Sequence, residues 1–191
     1  KPSEIAPCAI GHLGEAAAEA GLPPGVLNVV WGDGPTVGQA MVEHPGIDMI
    51  SFTGSTDTGR RLSAAAGGAL KRLSMELGGK SPSLVLAGAD IARAAKATAS
   101  NAMLNSGQTC TAWTRLIVPA TQADAAAEAA LAAMRKLTMG EPFADGTQLG
   151  PLTSADQRDR VRGFVARAEA AGASITIAAQ VPADLDGYFY P

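Results

Sequence analysis

Strand-like and helix-like segments alternate along the chain, and that alternation predicts an α/β fold with a mostly parallel sheet. Two further observations support it. The strand-like runs are short and rich in β-branched or large apolar residues, as in Met49-Ile50-Ser51-Phe52 and Arg115-Leu116-Ile117-Val118. The segments between them are longer, rich in alanine, and several open on a Ser or Asp side chain suited to capping a helix.

Taken in order, a helix opens at Ser3 or Glu4 and runs to about Ala20, with Pro7 tolerated in the first turn and Gly21 as the stop. Val26–Val30 reads as a strand, Gly32–Gly34 as a turn and Thr36–Glu43 as a short helix. Met49–Phe52 is a strand, Ser55 caps a helix to about Ala66, and Lys71–Leu77 alternates polar and apolar residues as the next strand. Ser83–Leu86 is a strand, Asp90 caps a helix to about Leu104, and Arg115–Val118 is a strand. Thr121–Leu137 and a segment capped by Ser154 and ending near Ala171 are helices, while Ile175–Ile177 and Tyr188–Tyr190 are weak strands.

Composition removes several function classes. With 47% hydrophobic and 17% charged residues among 191, the chain buries a core instead of remaining disordered. Its 15 Lys and Arg are scattered and its formal charge is −3, so no basic stripe suggests nucleic acid. Cys8 and Cys110 are too few and too far apart for a disulfide framework or a zinc cluster, and no metal site is expected. No apolar run reaches the roughly 18–20 residues of a membrane span, and Lys1-Pro2-Ser3-Glu4 lacks the pattern of a secretory signal. The expected setting is soluble, reducing and cytoplasmic.

Two glycine-rich segments fail as phosphate loops. Gly32-Asp33-Gly34-Pro35-Thr36-Val37-Gly38 misses the dinucleotide spacing by one, and Gly79-Lys80-Ser81 lacks both the upstream glycine and the following helix of a P-loop. Phe52-Thr53-Gly54-Ser55-Thr56-Asp57-Thr58-Gly59 is better placed, since the free amides of a helix start attract phosphate and Gly54 permits close approach. Taken alone, it reads equally as a plain turn and N-cap.

Asn105-Ser106-Gly107-Gln108-Thr109-Cys110 sets a thiol among small polar residues between a helix and a strand, where chemistry is often carried. Cys8, on an apolar helix, is expected to be a buried small hydrophobe. Neither histidine, His12 or His44, is near enough in sequence to support a Cys–His pair. Glu76 lies between Met75 and Leu77 at a strand end and points to the opposite face. It is either an exposed edge charge or a base with a pKa raised by an apolar pocket, with Gly78 and Gly79 leaving room beside it.

These segments together resemble the aldehyde dehydrogenase superfamily over nearly the whole chain. Lys1-Pro2-Ser3-Glu4 is similar to its adenosine-ribose segment, and Phe52–Gly59 to its pyrophosphate segment. Glu76-Leu77-Gly78-Gly79-Lys80-Ser81-Pro82 is similar to the general-base signature, and Gly107-Gln108-Thr109-Cys110 to the nucleophile signature, which follows the base by 34 residues. The resemblance implies a Rossmann-type half followed by part of an α/β catalytic domain. Residues 1–76 would be the C-terminal half of the cofactor-binding domain and residues 77–191 the N-terminal part of the catalytic domain.

It also implies roles. Lys1 and Glu4 would hold the adenine ribose, and Gly54, Ser55, Gly59 and Leu77 would lie at the cofactor. NAD is preferred because Glu4 repels a 2′-phosphate, with NADP possible. Cys110 would attack an aldehyde carbon, and Glu76 would activate the water that releases the acid. A homo-oligomer is implied for a full-length parent. The family's upstream aromatic-Asn segment and downstream Glu-x-Phe-Gly-Pro segment are missing here, so the chain resembles an internal fragment. The competing readings are a CoA-acylating semialdehyde dehydrogenase, an inactive fragment that keeps the fold, and a thiol hydrolase of unrelated fold.

Overall fold

Pro7 decides where the first helix starts. The residue before a proline is pushed out of the α region, so residues 4–6 bend and α1 spans Cys8–Glu19, later than the sequence alone suggests. The computed structural model describes all residues from Lys1 to Pro191. Gly21, at φ +79°, ends α1, with the Leu22 and Gly21 amides donating to the carbonyls of Ala17 and Ala18.

Val26–Val30 does not form the expected strand. The segment is laid against α1, where Val29 sits over Gly14 and Trp31 over Gly11. No strand lies beside it to complete a ladder, and Val26 and Val30 remain exposed. A π-helical turn, Gly34–Gly38, then leads into α2 (Gln39–Glu43), capped by the Asp33 carboxylate on the Thr36 amide at 2.6 Å.

The centre of this unit is a β–α–β crossover: β1 (Met49–Gly54), α3 (Thr56–Gly68) and β2 (Arg72–Leu77). The two strands pair in parallel from Met49↔Arg72 to Gly54↔Leu77. Alternation turns Ile50 and Phe52 inward, where Val42 of α2 and Ala66 and Leu62 of α3 meet them.

The chain divides into two units, Lys1–Leu77 and Gly78–Pro191. The second repeats the crossover with β3 (Pro82–Leu84), α4 (Ile91–Ala102) and β4 (Arg115–Ile117), again parallel, from Pro82↔Arg115 to Leu84↔Ile117. Asp90 caps α4 through the Arg93 amide at 3.0 Å. Ala95, Ala99 and Ala102 recur on one helical face and are buried as α4 packs on α5 (Ala123–Met134), which contributes Ala126. Thr98 is buried on α4 and donates to Ser83 Oγ of β3 at 2.7 Å or to the Ala94 carbonyl at 2.9 Å.

α6 (Ala155–Ala170), capped by Ser154, closes the element list. The weak strands expected at Ile175–Ile177 and Tyr188–Tyr190 have no ladder partner and do not form, although Phe189 is buried. No helix is long and apolar enough to cross a membrane.

Candidate functional site

In the first unit, Lys1 Nζ donates to Glu4 Oε2 at 2.9 Å and to the Pro2 carbonyl at 2.8 Å. That hydrogen bond from Lys1, followed by one from Glu4's own backbone amide, holds the Glu4 carboxyl below its ordinary value of 4.5. Glu4 lines a pocket of about 270 Å³ with Pro2, Ser3, Pro7, Trp31, Gly32 and Asp33. Asp33 is a second carboxylate there, held below its usual range by the Thr36 amide and then the Thr36 hydroxyl. Sequence reasoning missed Asp33 at the pocket. The available signal was its position three residues before Thr36, where a carboxylate caps a helix start.

At the carboxyl ends of β1 and β2, Ser55 caps α3. Its Oγ takes the Thr58 amide at 3.2 Å and donates to the Thr58 hydroxyl at 3.0 Å. The first amides of this 13-residue helix have no acceptor one turn back and point past Gly54. Gly59 and Leu77 meet: a Cβ on the buried Gly59 would lie 2.7 Å from Leu77 Cδ2, so glycine lets α3 settle on the end of β2. The two residues expected at the cofactor therefore also pack on each other.

Glu76 stands opposite Thr53 in the ladder and is exposed, while its neighbours Met75 and Leu77 are partly buried on the other face. An apolar pocket around Glu76, one of the two sequence readings, is not what the chain forms: β2 pairs only with β1 and leaves this face to solvent.

In the second unit, Cys110 follows the 3₁₀ turn Leu104–Gly107 and is exposed. Asn105, Ser106 and Gly107 take consecutive left-handed conformations, at φ 52°, 55° and 76°. Thr109 Oγ donates to the Leu104 carbonyl at 3.2 Å, and Asn101 Oδ1 accepts the Trp113 amide at 2.8 Å. A Cβ on Gly79 would lie 3.5 Å from the Cys110 carbonyl oxygen, so the diglycine segment passes directly beside the thiol's backbone. Arg115 Nε fixes that segment from the other side by donating to the Lys80 carbonyl at 2.8 Å.

Cys8 departs from expectation: it is exposed at the first residue of α1, because it falls in the helix's opening turn and not on a packed face. Glu76 belongs to the first unit and Cys110 to the second.

The donor set fits a nicotinamide dinucleotide. An ammonium beside a carboxylate at a small pocket suits a ribose diol, and a capped helix start behind a glycine suits a pyrophosphate.

Comparison with known proteins gives a family and close relatives. The sequence model of the aldehyde dehydrogenase family matches residues 1–191. Mitochondrial succinate-semialdehyde dehydrogenase of Arabidopsis thaliana is 44% identical over 177 residues, 93% of this chain and 34% of that protein. The 3-succinoylsemialdehyde-pyridine dehydrogenase of a Pseudomonas species is 41% identical over 92% of this chain and 37% of its own. Among solved structures, an NAD-dependent aldehyde dehydrogenase from Sinorhizobium meliloti superposes with a TM-score of 0.92 at 36% identity, covering 99% of this chain and 38% of that one. A Pseudomonas syringae aldehyde dehydrogenase mutant complexed with NAD⁺ and octanal gives 0.86 at 40% identity, covering 90% and 35%. The chain thus spans about a third of the length of the relatives it matches.

Proposed function

Because the chain belongs to the aldehyde dehydrogenase family, we propose that it supplies the thiol, the base and part of the cofactor site for oxidation of an aldehyde to a carboxylic acid. The observation that carries this reading is the family match over residues 1–191. The exposed thiol in a constrained turn supports it.

In this reaction the Cys110 thiolate attacks the aldehyde carbon; a C–S bond forms and the carbonyl electron pair moves to oxygen. The Cys110 backbone amide donates to that oxyanion. The nicotinamide, when bound, supplies a hydride acceptor. Loss of hydride from the carbon leaves an acyl group on Sγ as a thioester. Glu76 takes a proton from water, the resulting hydroxide adds to the acyl carbon, and the C–S bond breaks to release carboxylate and restore the thiolate.

Lys1 and Glu4 hold the adenine ribose, and Gly54, Ser55 and the start of α3 meet the pyrophosphate, with Gly59 and Leu77 supporting that helix. The carboxylate of Glu4 favours NAD over NADP. Glu76 at the base position favours hydrolysis over transfer to CoA. Two relatives are named for semialdehydes, so semialdehydes are the first substrates to assay.

The test is pre-steady-state NADH formation by a full-length enzyme carrying this segment. Glu76→Gln is expected to give a burst near one equivalent followed by turnover slowed by roughly 10²–10⁴. Steady-state turnover equal to wild type would remove Glu76 from the role.

A further inference from the structure

The turn before Cys110 is costly and yet held. A left-handed conformation costs a residue with a Cβ about 1–2 kcal/mol and persists only where neighbours over-determine it, and Asn105 and Ser106 both adopt it. Gln108 uses both ends of its carboxamide against this. Its Nε2 donates to the Asn105 carbonyl at 3.1 Å inside the turn. Its Oε1 accepts the Thr153 amide at 2.9 Å, 45 residues away in sequence. Ser106 Oγ adds a second stitch to the Gly150 carbonyl at 2.9 Å. The segment on the far side is itself anchored, since the Leu152 amide donates to the Tyr188 carbonyl at 3.1 Å and Gly187 packs on Pro151.

We propose that Gln108 is a positioning residue for Cys110: its carboxamide fastens the thiol-bearing turn to Gly150–Thr153 and so sets the direction from which the sulfur and its backbone amide meet a carbonyl group. The proposal rests on Cys110 being the nucleophile. The side chain must be Gln for both bonds to form at once. Glutamate keeps the acceptor for Thr153 and loses the donor to Asn105, while alanine loses both.

Two reagents separate positioning from exposure. Iodoacetamide needs only an accessible thiolate. p-Nitrophenyl acetate needs the sulfur aimed at a carbonyl carbon with a donor near its oxygen; the C–S bond forms, the C–O bond breaks and p-nitrophenolate leaves with the electron pair. Mass spectrometry of the 191-residue chain resolves Cys8 from Cys110. Wild-type Cys110 is expected to be acylated faster than Cys8. In Gln108→Ala, acylation of Cys110 is expected to fall at least tenfold relative to its own alkylation, with faster hydrogen exchange at the Thr153 amide. Gln108→Glu, which serves if the alanine variant does not fold, is expected to keep Thr153 protected and show an intermediate acylation-to-alkylation ratio. Equal changes in acylation and alkylation, unchanged Thr153 exchange in the alanine variant, or a wild-type ratio in the glutamate variant would overturn the proposal. Equal acylation of the two wild-type thiols would overturn the nucleophile reading instead.

Discussion

At the scale of single residues, charge decides more than burial. Glu4 is half exposed, yet the Lys1 ammonium keeps its carboxyl below the ordinary range. A depressed folded pKa means that the pairing is complete above the unfolded value and is lost only as pH falls through the folded one. Glu4 is therefore ionised throughout the neutral range and opposes a 2′-phosphate there. Like charges about 4 Å apart in a wet site repel by roughly 1 kcal/mol. Glu4→Gln is accordingly expected to narrow the preference for NADH over NADPH by about fivefold, read by fluorescence titration above pH 6. An unchanged ratio would leave the discrimination to other groups, Asp33 first among them. Cys8 and Glu76 teach a related lesson. Both sit among apolar neighbours in sequence and are exposed in the fold, because one occupies a helix's opening turn and the other the open face of a two-stranded sheet.

At the scale of elements, the same helix ending occurs three times and one copy is anomalous. α1, α3 and α6 each close with a paired bond set, in which the amides of Leu22, Lys71 and Ala173 reach back five residues. The residue that must turn left-handed is Gly21 in α1 and Gly172 in α6, but Leu70 in α3, at φ 54° and 92% exposed. Leucine has a steric penalty there that glycine lacks, and its side chain recovers no burial. Leu70→Gly is expected to stabilise the first unit by about 1 kcal/mol in urea denaturation; destabilisation would show that Leu70 makes contacts outside this chain. The opposite change applies at Gly59. An added methyl would meet Leu77 Cδ2 at 2.7 Å and Cδ1 at 3.0 Å, so the isobutyl group must move as a whole. Gly59→Ala is expected to cost about 1–3 kcal/mol. The loss should shrink when Leu77→Ala is combined with it, and a strictly additive double variant would refute the contact as its cause.

At the scale of the whole molecule, surface is the deciding quantity. The chain exposes 12835 Å², whereas two wholly separate, self-contained domains of these sizes would together expose about 10,000 Å². No large side chain is completely buried, and Leu70, Phe143, Leu84, Leu86 and Val26 are largely open to solvent. Both sheets have two strands and present unpaired edges. The isolated 191-residue polypeptide is therefore expected to self-associate in light scattering. It is also expected to oxidise aldehydes little in an NADH absorbance assay, since it spans only about a third of its relatives' length. Full-length-like turnover by monomeric material would defeat both expectations.

Local chemistry was legible in the amino-acid sequence wherever neighbouring residues settle it. Ser55, Asp90 and Ser154 cap the helices they were expected to cap, because a cap is a bond between positions three residues apart. The alternating α/β order and the parallel pairing followed from period and length, and the family followed from four short segments in a fixed order. What depends on a distant partner was not legible. Val26–Val30 has the residues of a strand but no neighbouring strand, and a ladder needs two. The Gln108–Thr153 and Ser106–Gly150 bonds join positions about 45 residues apart, so only the tertiary fold brings donor to acceptor. Exposure of Cys8 and Glu76 was likewise decided by what packs beside them. Sequence fixes the chemistry each side chain offers; the fold decides which partners it meets, because burial and long-range hydrogen bonds belong to pairs of segments and not to either one.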